Sequence, residues 1–86
     1  MNKTKYVIVE GSAIVFSAAI QHKDMVGRNQ KCEGAGFVDF NCEVDEDGNT
    51  IMVAKCYGMS ISLDIKSRGE EDSRLINRQI LNNLFM

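Results

Sequence analysis

Two stretches and the turn between them decide the fold: FVDFNCEVD at residues 37–45, DEDGN at 45–49 and TIMVAKCY at 50–57. The first stretch alternates apolar and polar side chains, which is the period of a strand with one buried face. The turn predicts a short loop with Gly48 in the left-handed conformation. Pairing the strands across this loop brings apolar side chains together on one face. The predicted cross-strand pairs are Val38 with Cys56, Phe40 with Ala54, Cys42 with Met52 and Val44 with Thr50.

Outside this hairpin, similar patterns predict three more strands. Lys5–Glu10 and Ala13–Phe16 are rich in β-branched and aromatic residues and are expected to form an N-terminal hairpin. Ser60–Lys66 alternates again. Its inward-facing side chains would be Ile61, Leu63 and Ile65. The sequence therefore predicts a sheet of about five antiparallel strands.

Two helices are predicted beside this sheet. The first begins at Ser17 and ends near Val26, with Gly27 as its stop. The second begins at a capping box formed by Ser67 and Glu70, and its acidic first turn suits the helix dipole. Its apolar stripe comprises Ile76, Ile80, Leu81, Leu84 and Phe85. The expected architecture is a single α+β domain spanning residues 1–86.

The composition narrows the class of protein. The chain has 86 residues and a formal net charge of -2, which argues against a surface that follows a phosphate backbone. Its apolar runs fall far short of the ~20 residues that cross a bilayer, and the basic N-terminus lacks a signal-peptide pattern. Three cysteines at irregular spacing indicate reduced thiols. A cytoplasmic protein that does not contact membranes is expected.

No motif predicts a cofactor, a metal or an enzymatic reaction. The acidic turn at 45–49 places its glycine too early for a calcium-binding EF-hand loop. His22 and the three cysteines lack the close ligand pairs of a zinc site, and Cys42 and Cys56 are expected to be small buried hydrophobes. Gly34-Ala35-Gly36 is too short for a phosphate-binding loop and is interpreted as a bend before a strand. The sequence therefore favours a protein without catalytic residues.

The segment from Lys66 to Gly69 is the most suggestive of ligand binding. It joins a strand to a helix N-terminus, where backbone N–H groups beside a hydroxyl and a guanidinium commonly hold an anion. The predicted ligand-binding residues are Lys66, Ser67, Arg68 and Gly69, with Arg68 as the charged contact and Arg74 and Arg78 as weaker candidates. A capped helix with solvated charges explains the same residues without a ligand.

Strand 50–57 also carries apolar residues on both of its faces. A one-sided antiparallel sheet would leave one face polar, so something is expected to cover the second face. The first predicted helix could do so, and so could a second subunit. A homo-oligomer is therefore expected.

Three stretches, residues 54–72, Lys5–Val9 and Ala13–Ser17, resemble small uncharacterised proteins encoded by bacteriophages and prophages. The resemblance implies a phage accessory gene whose product works in the host cytoplasm. Such genes often encode small non-catalytic proteins that blunt host defences by sequestering a nucleotide signal or by occluding a host protein. The alternative is a bacterial regulatory or structural module that acts only through protein contacts. A metal- or thiol-dependent enzyme is disfavoured by the missing motifs.

Overall fold

The computed structural model describes residues 3–81. Its centre is a four-stranded antiparallel sheet with the strand order β2-β1-β3-β4. The strands are β1 (Thr4–Val9), β2 (Ser12–Ser17), β3 (Cys32–Val44) and β4 (Thr50–Tyr57). A 3-10 turn and a small two-stranded sheet, β5 with β6, follow β2 and β4 respectively. The remaining bounds are His22–Met25 for the 3-10 turn, Met59–Ser60 for β5, Ile65–Lys66 for β6, Glu70–Ile76 for helix α1 and Asn77–Leu81 for a π-helical turn that continues it.

Strand β1 is the centre of the core. Its run of β-branched and aromatic residues suits a strand that is covered on both faces. Tyr6 and Ile8 pack with Ile76 of α1 on one face. Val7 and Val9 lie on the other face, in a cluster that contacts residues of the 3-10 turn and of the small sheet. The sheet therefore lies between two layers, with α1 forming one of them.

The helical segment also covers backbone groups at both edges of the sheet. At β4, the Ala54 N–H donates to Asn77 Oδ1 over 2.8 Å, and the Cys56 N–H donates to Ser73 Oγ over 2.8 Å. At β2, the Ala13 N–H donates to Gln79 Oε1 over 2.8 Å. Unpaired edge groups are a template for unwanted strand addition, so these side chains both hold the helix and block part of each edge.

The central predictions are confirmed. The register of β3 and β4 contains all the predicted pairs, from Val38 with Cys56 to Val44 with Thr50. Gly48 has a φ of 84°, as the turn requires. The N-terminal hairpin forms between β1 and β2. The class is α+β, as the sequence predicts.

The predicted fifth strand is wrong in its extent. Only Met59–Ser60 and Ile65–Lys66 pair, and the residues between them form a turn in which Asp64 has a φ of 56°. Ile61, predicted to face inward, is 87% exposed. The alternating pattern is interrupted because the chain reverses direction within it. Leu63 and Ile65 do pack against the core, as predicted.

The helix predictions also need correction. Residues 17–26 form no α-helix and contain only the 3-10 turn at His22–Met25. The C-terminal helix has Gly69 at its N-cap without a side-chain cap, so the capping box of Ser67 and Glu70 is absent. Ile80, predicted to lie on the apolar stripe, is 43% exposed and belongs to the π-helical turn that follows α1. Leu81 packs against the core as predicted, and the predicted positions Leu84 and Phe85 lie outside the described residues.

Two smaller predictions fail in β3. Cys42 is exposed, although Cys56 is buried as expected. The strand begins at Cys32, so Gly34-Ala35-Gly36 lies within it and forms no bend before it. None of the helices in the described part of the chain is long and apolar enough to cross a membrane.

Replacing Asn77 with alanine tests whether the helix stabilises the edge of β4. Asn77 accepts from the Ala54 N–H and donates to its carbonyl over 3.3 Å, so N77A leaves both backbone groups without these partners. We expect a loss of about 1–3 kcal/mol in the free energy of unfolding, measured by urea denaturation. The control is N41A on the exposed part of β3, which should change stability by less than about 0.5 kcal/mol. Equal effects of N77A and N41A would contradict this role.

Candidate functional site

A buried carboxylate joins the helix to the central strand. Asp72 of α1 is 0% exposed. Its Oδ2 accepts from the Tyr6 hydroxyl over 2.6 Å and from the Arg68 N–H over 2.9 Å. Its Oδ1 accepts from Arg68 Nε over 2.7 Å. Three donors, one of them charged, thus offset the large cost of burying this group.

The glycines of β3 make room for this cluster. A side-chain carbon at Gly34 would collide with Asp72 Oδ2. One at Gly36 would lie 3.3 Å from the Ser67 side chain and closer still to the backbone of Tyr57. Glycine in a strand interior commonly marks such a close approach. The two glycines therefore let the segment before α1 lie directly on the sheet.

The tyrosine and cysteine side chains around Asp72 are held in their neutral forms. Burial and the hydrogen bond to Asp72 raise the pKa of Tyr6 well above its ordinary 10.0. Burial raises the pKa of the Cys56 thiol to about 11, and burial also raises the pKa of Cys32. A reactive cysteine needs a lowered pKa, so these thiols are poor nucleophiles. The arrangement suits a structural role for the cluster.

The structure brings part of the predicted anion site together, but its positively charged residue, Arg68, is already paired with carboxylates of the protein. Arg68 contacts Asp72 and also donates from Nη1 to Glu71 over 2.9 Å. Ser67 Oγ accepts from the Gly69 N–H over 3.0 Å and lies 2.7 Å from the Tyr6 hydroxyl. An anion at Arg68 would have to compete with two carboxylates.

The other predicted residues are spread over the surface. Lys66 is exposed on β6. Arg74 lies 3.6 Å from Glu70, and both side chains are largely exposed. Arg78 is exposed on the π-helical turn. Binding of an anion at these positions stays a prediction, because no described contact directs them toward one point.

A groove on the opposite face of the sheet offers a different candidate site. It has a volume of about 580 Å³, within the range of small-molecule sites. Its apolar and aromatic lining comes from His22, Phe37, Met59 and Ile61. Its remaining lining residues are Lys5, Gln21, Gly58 and Ser62. None of these residues is acidic, although the whole chain carries a net charge of -2.

Aromatic packing fixes the wall of this groove. The His22 ring is edge-on to Phe16 at 5.5 Å and to Phe37 at 5.9 Å between centroids. His22 Nε2 lies 2.8 Å from the Gly36 carbonyl oxygen, to which it donates in the matching tautomer. Tyr57 stacks on Phe37 at 5.9 Å. The wall is thus preorganised by contacts within the protein.

Two amines mark this end of the sheet as cationic. Lys5 Nζ donates to the Ile20 carbonyl over 2.9 Å, which directs the side chain along the groove. Lys3 Nζ lies 5.3 Å from the centre of the Phe37 ring, within cation–π distance. Neither lysine has an ion-pair partner among residues 3–81. Asp39, which accepts from the Tyr57 hydroxyl over 3.3 Å, is outside the groove lining.

Sequence reasoning missed this groove because its residues come from separate elements. The one available signal is His22, a single histidine in a weakly patterned segment. His22 falls within the first predicted helix, yet it lies in the 3-10 turn and is only 4% exposed. Among residues 3–81, no group of three or more histidine, cysteine, aspartate or glutamate side chains could hold a metal ion.

Comparisons with known proteins leave this site without a precedent. No protein-family model, no curated protein and no solved structure matches the chain. The function must therefore be argued from the residues themselves.

Removing the Tyr6 hydroxyl should destabilise the protein. Y6F deletes a donor to a fully buried carboxylate, and hydrogen bonds to charged groups contribute about 1.5–3 kcal/mol. The matched control is Y57F, because the exposed Tyr57 hydroxyl makes only the 3.3 Å contact with Asp39. Urea denaturation should show a loss of this size for Y6F and a change below about 0.5 kcal/mol for Y57F. Similar stabilities for both variants would contradict the role of Asp72.

Stability should fall on mild acidification because of His22. Burial lowers the pKa of His22 below its ordinary 6.5. Repulsion from Lys5 also lowers this pKa, whereas the hydrogen bond to Gly36 raises it. The unfolded chain therefore takes up a proton more readily than the folded one, and stability present above pH 6.5 is lost as the pH falls below it. His22 is the single histidine of the chain. The change in urea midpoint between about pH 7.5 and about pH 5.5 should therefore be smaller in H22Q than in the wild-type protein. An unchanged difference in H22Q would assign the effect to other groups.

Proposed function

We propose that this protein is a non-enzymatic binding protein that holds a small anionic ligand of the nucleotide class in the groove beside Phe37. The observation that carries the proposal is the lining of the groove. It combines aromatic and aliphatic walls with the amine of Lys5 and contains no carboxylate. A ligand with a planar apolar part and an anionic part matches both features.

The chemistry of the groove favours binding over reaction. Ser62 and His22 are the lining residues that could act as a nucleophile and a base. His22 is held by Gly36, and the Ser62 hydroxyl lies 3.4 Å from Ser60 and accepts from the Lys23 N–H over 3.2 Å. No described contact joins His22 to Ser62, so the hydroxyl lacks the adjacent base that nucleophilic catalysis uses. Binding without chemical change is the simplest use of this surface.

The biological role follows as part of the same proposal. A small protein encoded by a phage that binds a nucleotide would act by sequestering a defence signal in the host cytoplasm. Occlusion of a host protein is the second role that the resemblance implies. In that case the groove would bind an acidic side chain with an apolar neighbour.

Calorimetric titration with a panel of linear and cyclic nucleotides tests the proposal. The informative variant is K5M, which keeps the length of the side chain and removes its charge. A charge-assisted contact contributes about 1.5–3 kcal/mol, so K5M should weaken binding roughly ten- to a hundredfold. The second variant is K66M, which removes an exposed lysine of the junction before α1, and the matched control is K31M, which removes an exposed lysine outside both sites.

The two variants separate the groove from the junction. Loss of affinity in K5M alone supports the groove. Loss in K66M, with K5M unaffected, supports the site predicted from the sequence at residues 66–69. If no nucleotide binds the wild-type protein, the nucleotide proposal fails and occlusion of a protein becomes the better explanation.

A further inference from the structure

The β3–β4 hairpin extends beyond the rest of the sheet. Strand β1 pairs with β3 only as far as Val38, whereas β3 continues to Val44 and β4 begins at Thr50. We refer to residues 39–55, which include the turn, as the arm. The described part of the molecule measures 44 × 28 × 17 Å. A two-stranded ribbon is only marginally stable alone, so contact with another surface would benefit it.

The tip of the arm is ordered and acidic. Asp45 Oδ1 accepts from the N–H groups of Asp47 and Asn49 over 2.9 and 2.8 Å, which fixes the turn. Glu46 and Asp47 are exposed and form no ion pair within the described residues. Val44, beside them, is 70% exposed. The tip therefore presents carboxylates and an apolar side chain, and residues 44–50 include no lysine or arginine.

The groove presents the complementary properties. Lys5 has no ion-pair partner among residues 3–81, and the groove lining includes no carboxylate. Ile61 is an apolar lining residue and is 87% exposed. Acidic and apolar groups on the arm thus match a basic and apolar surface on the same molecule, as at interfaces with complementary potentials.

A molecule cannot place its own tip in its own groove. Val44 follows Phe37 along a continuous strand, and seven residues of extended chain span about 23 Å. Pairing with β4 also keeps this part of β3 extended. Any contact between tip and groove must therefore join two copies of the chain.

We infer that the groove of one copy receives the arm tip of a second copy, with Glu46 and Asp47 beside Lys5 and Val44 against the apolar wall. The inference rests on the proposal that the groove is a binding site, and it does not require a nucleotide ligand. Each copy then contributes residues to its neighbour's site. Anionic ligands and the arm compete for Lys5, so ligand binding and self-association oppose each other.

Charge reversal tests the contact by sedimentation velocity over a concentration series. K5E in the groove and E46K/D47K at the tip should each weaken self-association at least about tenfold, because each places like charges together. The triple variant K5E/E46K/D47K, and an equimolar mixture of the two parents, should restore it. The matched control is K66E, an equal change of charge at an exposed position outside the groove lining. Circular dichroism checks that every variant is folded.

Each outcome decides the inference. Rescue by the triple variant, with K66E behaving as the wild type, supports it. A wild-type protein that stays monomeric up to about 200 μM, on the micromolar scale of weak contacts, overturns it. Self-association that none of the charge reversals alters also overturns it, and then another surface holds the copies together. Nucleotide titration of the non-associating E46K/D47K variant reports on the ligand proposal separately, because its groove is unchanged.

Discussion

The fold depends on the burial of one carboxylate. An ionised group removed from water needs nearly all of its former hydrogen bonds replaced, and Asp72 finds its donors on two separate parts of the chain. One donor, the Tyr6 hydroxyl, lies at the centre of β1. The others belong to Arg68, just before the helix. The hydrogen bonds of Asp72 therefore fix the position of the helix along the sheet and its distance from the sheet.

The rest of the helix layer is consistent with that placement. The Ser73 side chain accepts from the backbone N–H of Cys56, and the Asn77 side chain accepts from that of Ala54. Four residues of helix therefore cover the same distance as two residues of strand. The rise per residue of a helix is about half that of a strand, so the two elements stay in step. This match lets short polar side chains of α1 and of the π-helical turn pair the free edge of β4. An edge that would otherwise invite strand addition is thereby incorporated into the fold.

The parts that could be predicted from the sequence are those that local patterns determine. The register of β3 with β4 follows from alternation and a glycine turn, both of which lie within the same twenty residues or so. Asp72 could not be found in this way, because an acidic residue in a first helical turn has an ordinary explanation in the helix dipole. Its partner Tyr6 is distant in sequence and looked like any other strand residue. A period of 3.6 residues likewise places Ile80 on the buried stripe with Ile76, whereas Ile80 lies exposed in the π-helical turn.

The candidate site was harder to predict for the same reason. Arg68 looked available because nothing in the sequence shows that Asp72 and Glu71 engage it. Lys5 looked like a polar position in a strand, and only the fold places it beside Phe37 and Ile61. The polar groups nearest the helix are thus committed to holding the protein together. The charged groups that remain for partners lie on the other face of the sheet and on the arm. The positive charge is in the groove, as an amine, and the negative charges are at the tip of the arm, as carboxylates.

That separation is the strongest indication of function in the molecule. Surface charges of both signs are usually interspersed, and a region with one sign attracts an oppositely charged partner. The groove lining includes the amine of Lys5 and no carboxylate. The groove wall is held by aromatic contacts with His22, so Lys5 lies beside a fixed surface before any partner arrives. Preorganisation of this kind lowers the entropic cost of binding, so the proposed ligand or second copy would need no rearrangement of the core.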